Sequence, residues 1–148
     1  MPGENGTEAR ERSVREMLRS AGLKITPLRV QVLEFLIDAG RPLSHADVHA
    51  VLPDLDRVTL YRTLASFVES DIAHQVQGQD GTWRFCAHSR DEDCCPGNHP
   101  HFLCEACGTM ICLTGQSMPR VEVPPQCRVA GKQFVVYGKC PACAQKDV

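Results

Sequence analysis

Two short motifs near the end of the chain constrain its fold more than anything else: Cys104-Glu-Ala-Cys107 and Cys140-Pro-Ala-Cys143. Each CxxC turn aims two thiolates at one centre, and two such turns complete a tetrahedron. The spacing predicts one structural zinc held by Cys104, Cys107, Cys140 and Cys143. Between the motifs, TMICL and KQFVVYG have the composition of strands. The metal would therefore tie together two ends of a small sheet. A thioredoxin-like redox role fits poorly, because two CxxC units occur and the βαβ context is missing.

The chain has 148 residues, enough for one domain or two small ones, and nine cysteines. Its polar N-terminus, MPGENGTEARERS, carries both charge signs and does not read as a signal peptide. No apolar run approaches the roughly 20 residues that span a bilayer. A cytoplasmic location follows as the expectation, and there a reducing environment turns so many cysteines toward metal. The net charge of -2 argues against a generic polyanion binder. Nucleic acid remains a partner if basic groups are focused locally.

The first half reads as helices. Apolar residues recur at helical spacing from Val14 to Ala21, with Gly22 as the stop. Thr26 and Pro27 suit the cap and first position of a second helix, closed by Gly40. Ser44 opens a third helix with Asp47 placed for reciprocal capping, and Pro53 ends it. Asp56 caps a fourth, DRVTLYRTLASFVES, which gathers Leu60, Leu64, Phe67 and Val68 on one face. The other face shows Val58, Thr59, Arg62 and Ser66, with Tyr61 at its flank. Such groups suit contact with bases and phosphates, although the pattern also fits a solvated face. AHQVQGQDGTWRFCA then reads as a β-hairpin with Gly81 in the left-handed position of its loop. Helices followed by a two-stranded ribbon make a winged helix-turn-helix, whose last helix enters the major groove.

The hairpin register has a chemical result. A loop centred on Asp80 sets His74 across from Cys86, and directly opposed side chains have Cβ atoms about 5 Å apart. In HPHFLCEACG, His99 and His101 are two apart, so on a strand both can face one ion, or one ligates while the other is a neighbour. Cys112 lies on the next strand. His74, Cys86, His99, His101 and Cys112 together form a mixed nitrogen and sulfur set drawn from both halves of the chain. Sulfur donors favour zinc over magnesium, calcium or manganese.

GLKITPLR, VTLYRTL, the hairpin, HPHFLCEACG and CPAC, in this order, resemble the ferric uptake regulator family of metal-sensing repressors. The likeness runs from about Ala9 to Ala144. It implies an α+β fold: an N-terminal winged helix-turn-helix DNA-binding domain plus a small C-terminal α/β dimerisation domain with the CxxC…CxxC zinc site. The division expected is 1–83 and 84–148, with 1–8 flexible. The resemblance implies a homodimer that represses metal-uptake genes by binding AT-rich palindromic operators in double-stranded DNA when metal is loaded. Tyr61 and Arg62 match the recognition-helix pair, Tyr61 packing on thymine methyls. Lys24 matches a basic residue that reaches the minor groove. Arg57 and Thr59 complete the expected DNA contacts. His74, Cys86, one of His99 and His101, and Cys112 fall at sensor positions.

Iron-sensing members usually carry glutamate where Cys86 and Cys112 stand, and a histidine near Pro42. The cysteines are similar to those of the zinc uptake regulator branch. The expectation is two Zn2+ per monomer, one structural and one regulatory, and no enzymatic activity, membrane or small-molecule substrate. Alternatives are an iron, manganese or peroxide sensor of the same family, a structural zinc-ribbon adaptor, and a zinc metalloenzyme. Catalysis would need a general base, and Glu105 sits inside the CxxC turn. Pro119, Pro124 and Pro125 exclude the long helix usual between the two CxxC motifs. Pro100 replaces an acidic residue found between the two histidines in some members. Cys94 and Cys95 sit in an insert, and Cys127 reads as a small buried residue.

Overall fold

The computed structural model describes residues 4–87 and 99–147, so Cys94 and Cys95 lie outside the described residues. Helix α1 (Glu4–Ser20) starts inside the stretch expected to be flexible. At its end Leu23 N–H donates to Leu18 O and Gly22 N–H to Arg19 O, and Gly22 takes φ +74°. That is a Schellman stop, and a glycine relieves the strain of the left-handed turn.

Local capping explains the next three helices. In α2 (Pro27–Ala39) the Thr26 hydroxyl accepts from Arg29 N–H, and Gly40 closes the helix at φ 60°. Strand β1 (Leu43–Ser44) leads directly into α3 (His45–Val51), where Ser44 and Asp47 form the reciprocal capping box. Helix α4 (Arg57–Glu69) is capped by Asp56, whose carboxylate accepts from both the N–H and the hydroxyl of Thr59. These caps satisfy backbone donors that have no partner inside the helix.

The hairpin is β2 (Ala73–Gln77) and β3 (Trp83–Ala87), and β1 adds a third strand in the order β1-β3-β2. The two-stranded ribbon expected from sequence is thus a three-stranded sheet. β3 belongs wholly to it, so this strand crosses the 83/84 division. Val14, Leu18, Leu33, Leu36, Leu60, Leu64 and Phe67 form the core of this unit, and Phe85 and Ala87 of β3 join them.

The second sheet has the order β5-β4-β6, from β4 (His101–Cys104), β5 (Met110–Cys112) and β6 (Val135–Gly138). β4 and β5 run antiparallel, while β4 and β6 run parallel. The short helix α5 (Pro141–Gln145) follows. Val76 of the hairpin packs with Leu103 and Met110 of the second sheet, so the second apolar cluster is shared by both units. Residues 113–134 contain no helix or strand, and every residue from 119 to 134 is exposed. Cys127 is therefore exposed rather than buried, in a segment that contributes no residue to either apolar core. No helix among the described residues is long and apolar enough to cross a membrane.

Candidate functional site

The two CxxC turns meet because β4 and β6 are parallel neighbours and each ends in a turn at the same edge. Glu105 N–H donates to Gly138 O at 2.7 Å, which locks the two ends together. The four sulfurs of Cys104, Cys107, Cys140 and Cys143 lie within 4.8 Å of one another, with Cys107 and Cys140 4.0 Å apart. Sulfurs about a zinc ion, at ~2.3 Å from it, stand about 3.8 Å apart.

Backbone amides prepare this tetrad for charge. Cys107 N–H and Cys140 N–H donate to Cys104 Sγ at 3.5 and 3.3 Å. They are the largest causes that lower the Cys104 thiol from 9.0 to about 6. Cys107 is also lowered, first by its hydrogen bond with the Thr109 hydroxyl at 3.3 Å. Cys143 moves the other way, pushed up to about 12, first by Cys140 and then by Cys104. Four thiolates cannot coexist at this separation without a cation among them. The tetrad fits a thiophilic divalent ion.

A second group, His99, His101 and Cys112, also brings its donor atoms within 4.8 Å of one another. The cause is register: His101 and Cys112 are cross-strand partners in β4 and β5, and His99 sits just before β4. Both histidines are buried, and their ring centroids are 4.9 Å apart. The donor set is nitrogen and sulfur, and it can hold one ion. His74 and Cys86 are direct cross-strand partners on the hairpin. His74 stands at the border of the group, its ring 5.9 Å from that of His101. His74 and His101 also line one cavity of about 610 Å³ together with Met118 and Lys132. Cys86 is buried, with its thiol 3.9 Å from the Ala87 carbonyl, and among the described residues it falls outside the two groups of mutually close donors.

Two side chains, Arg84 and Gln133, join the hairpin to the C-terminal half beside these groups. Arg84, 3% exposed, donates from both terminal nitrogens to the Asp80 carboxylate at 3.1 and 2.9 Å. The same guanidinium donates to Gly108 O at 3.0 Å, one residue past the first CxxC. It also holds the Asp80 carboxyl at about 2, below its usual 3.8. Gln133 bonds the backbone of Gln77 from both ends of its amide, at 2.9 and 3.2 Å. Sequence reading missed Arg84 and Gln133, since an arginine on a strand and a glutamine before one both read as solvated.

The residues expected to meet DNA lie on one exposed side. Arg57, Thr59, Tyr61 and Arg62 project from α4, and Tyr61 is 59% exposed. Lys24, Thr59 and Arg62 line a common hollow with Thr26 and Arg29. Arg29 was not singled out in sequence. Its signal is position: a cation in the first turn of α2 opposes the helix dipole and so suits an external anion. Arg29 also donates to Lys24 O at 2.7 Å, which braces the segment before α2.

A sequence model of the Ferric uptake regulator family matches residues 20–128. The Peroxide operon regulator of Bacillus subtilis (strain 168) is 26% identical over 140 residues, covering 89% of this chain and 92% of that protein. A solved zinc uptake regulator complexed with zinc and DNA is similar with TM-score 0.62 at 16% identity, covering 95% of this chain and 97% of that one. The Vibrio cholerae ferric uptake regulator is similar with TM-score 0.60 at 22% identity, covering 84% and 98%. These structural likenesses share the two-part fold described above.

Proposed function

This chain belongs to the ferric uptake regulator family of metal-responsive transcriptional regulators, and we propose that the metal it senses is zinc. One observation carries this reading: among the described residues, the donor group of buried His99, buried His101 and half-buried Cys112 contains imidazole and thiol but no carboxylate. Carboxylate-poor, sulfur-containing sets suit zinc over harder divalent ions. Chemically, zinc would supply a coordination bond that draws β4 and β5 together with whichever hairpin donor completes the set. His74 is one such donor on the hairpin, its ring 5.9 Å from that of His101, and Cys86 is its cross-strand partner.

In this reading Cys104, Cys107, Cys140 and Cys143 hold a structural zinc, and His74, Cys86, His99, His101 and Cys112 make up the sensor region. The winged helix extends to Ala87, where β3 ends, and the dimerisation unit follows. Lys24, Arg57, Thr59, Tyr61 and Arg62, joined by Arg29, contact operator DNA from each protomer of a homodimer. The solved relative bound to zinc and DNA supports this assignment of partners. Sensor occupancy fixes the angle between winged helix and sheet, so that two recognition helices match successive major grooves. Linkage then requires operator DNA to tighten zinc binding by the same factor.

The test is selection from a random duplex pool with free zinc buffered high or chelated. Enrichment of an AT-rich palindrome only with zinc is expected, and its loss in Cys112→Ser with fold retained. Equal enrichment without zinc would defeat the sensing role. A second reading is a peroxide response, favoured by the Bacillus subtilis relative. It predicts that the ferrous protein binds DNA and that peroxide releases it.

A further inference from the structure

His45 has no part in the sequence motifs, yet its ring lies flat on that of Tyr61. Their centroids are 3.9 Å apart and their planes 22° from parallel. His45 opens α3 and Tyr61 sits in the second turn of α4, so the stack ties the two helices of the helix-turn-helix at their exposed side. The His45 ring is itself held, with Nε2 3.2 Å from the Arg57 carbonyl oxygen. A carbonyl only accepts, which assigns the proton to Nε2 and leaves the ring anchored to the first turn of α4. Tyr61 remains 59% exposed, so one face is covered by imidazole while the rest meets solvent. The pair lines a hollow of about 450 Å³ together with Trp83 and Phe85 of the hairpin.

We propose that His45 is a positioning residue for sequence readout: it presets the orientation in which Tyr61 meets a base. This rests on the DNA-binding reading above. An exposed tyrosine samples several rotamers, and ordering it at the interface opposes binding. A ring already ordered in the free protein avoids that loss. Preordering acts on discrimination as well as on affinity, because a fixed ring tells a thymine methyl from its absence better than a mobile one.

The experiment is a fluorescence-anisotropy titration of the zinc-loaded protein on its selected operator and on versions with uracil replacing single thymines. His45→Ala should weaken binding by about three- to tenfold. It should also lose most of the thymine preference at the position where Tyr61→Ala loses it. His45→Phe keeps the stack and should restore both. His45→Gln keeps a hydrogen-bond donor for Arg57 O without the stack and should resemble His45→Ala. Adding His45→Ala to Tyr61→Ala should bring no further loss. An undiminished loss in the Tyr61→Ala background would overturn the inference, making His45 a contact in its own right. So would a His45→Ala protein that binds and discriminates like the parent. If the unsubstituted protein binds no duplex in any metal state, the DNA-binding reading itself fails and takes this inference with it.

Discussion

Single residues carry the join between the two units. A Cβ on Gly78 would stand 2.6 Å from Arg84 Nη1, 2.7 Å from Asp80 Oδ1 and 2.9 Å from Leu103 Cδ2. Gly78 is therefore the space in which the buried guanidinium folds onto its carboxylate. Gly78→Ala should destabilise by about 1–3 kcal/mol, read from urea unfolding of the zinc-loaded protein. An unchanged midpoint would mean that Arg84 has an alternative seat. The Asp80 carboxyl sits at about 2 in the fold against an ordinary 3.8. A depressed carboxyl stabilises the fold fully above its unfolded value, and the contribution fades as pH falls from about 4 toward 2. Between pH 5 and 8, then, the stability difference between the parent and Asp80→Asn should stay flat. A difference that changes across this range would show that the folded carboxyl titrates above its unfolded value, against the pairing. Arg84 was not legible in sequence because its partners, Asp80 and Gly108, are set by a loop and by the other sheet.

At the level of elements, what was legible is what is local. The caps at Thr26, Ser44 with Asp47, and Asp56 each act within one turn, so residue identity alone placed them. The hairpin register followed from one loop, with Gly81 at φ 79° as its pivot. Strand β1 was not legible: two residues show no periodicity, and they pair with β3 across a long sequence separation, Leu43 with Phe85 and Ser44 with Arg84. Nor did spacing alone separate the close trio His99, His101 and Cys112 from His74 and Cys86, since that depends on how two sheets meet. The seven-residue α3 leans heavily on its capping box. Asp47→Ala should lower stability by about 1 kcal/mol. Thermal unfolding would show it, and a shift no larger than that of an exposed control such as Glu69→Ala would refute the dependence.

Over the whole molecule, a zinc ion held by the four cysteines would outweigh every other contribution to the second sheet. A structural zinc site contributes about 10–16 kcal/mol in small zinc domains, as large as the entire stability of an ordinary fold. Cys104→Ser should therefore abolish slow amide exchange at Leu103 and Met110, while Cys112→Ser should leave it in place. Protection surviving in Cys104→Ser would show that the sheet stands without its metal. The loss should also reach the wing, because Val76 shares a core with Leu103 and Met110, and Gln133 grips the backbone of Gln77. The two lobes are for this reason not interchangeable cassettes. A hybrid regulator that grafts this winged helix onto a relative's sheet should signal only if Val76, Gly78, Arg84 and Gln133 travel as a matched set. A graft cut by sequence alignment alone would join the backbone but leave the lever disconnected.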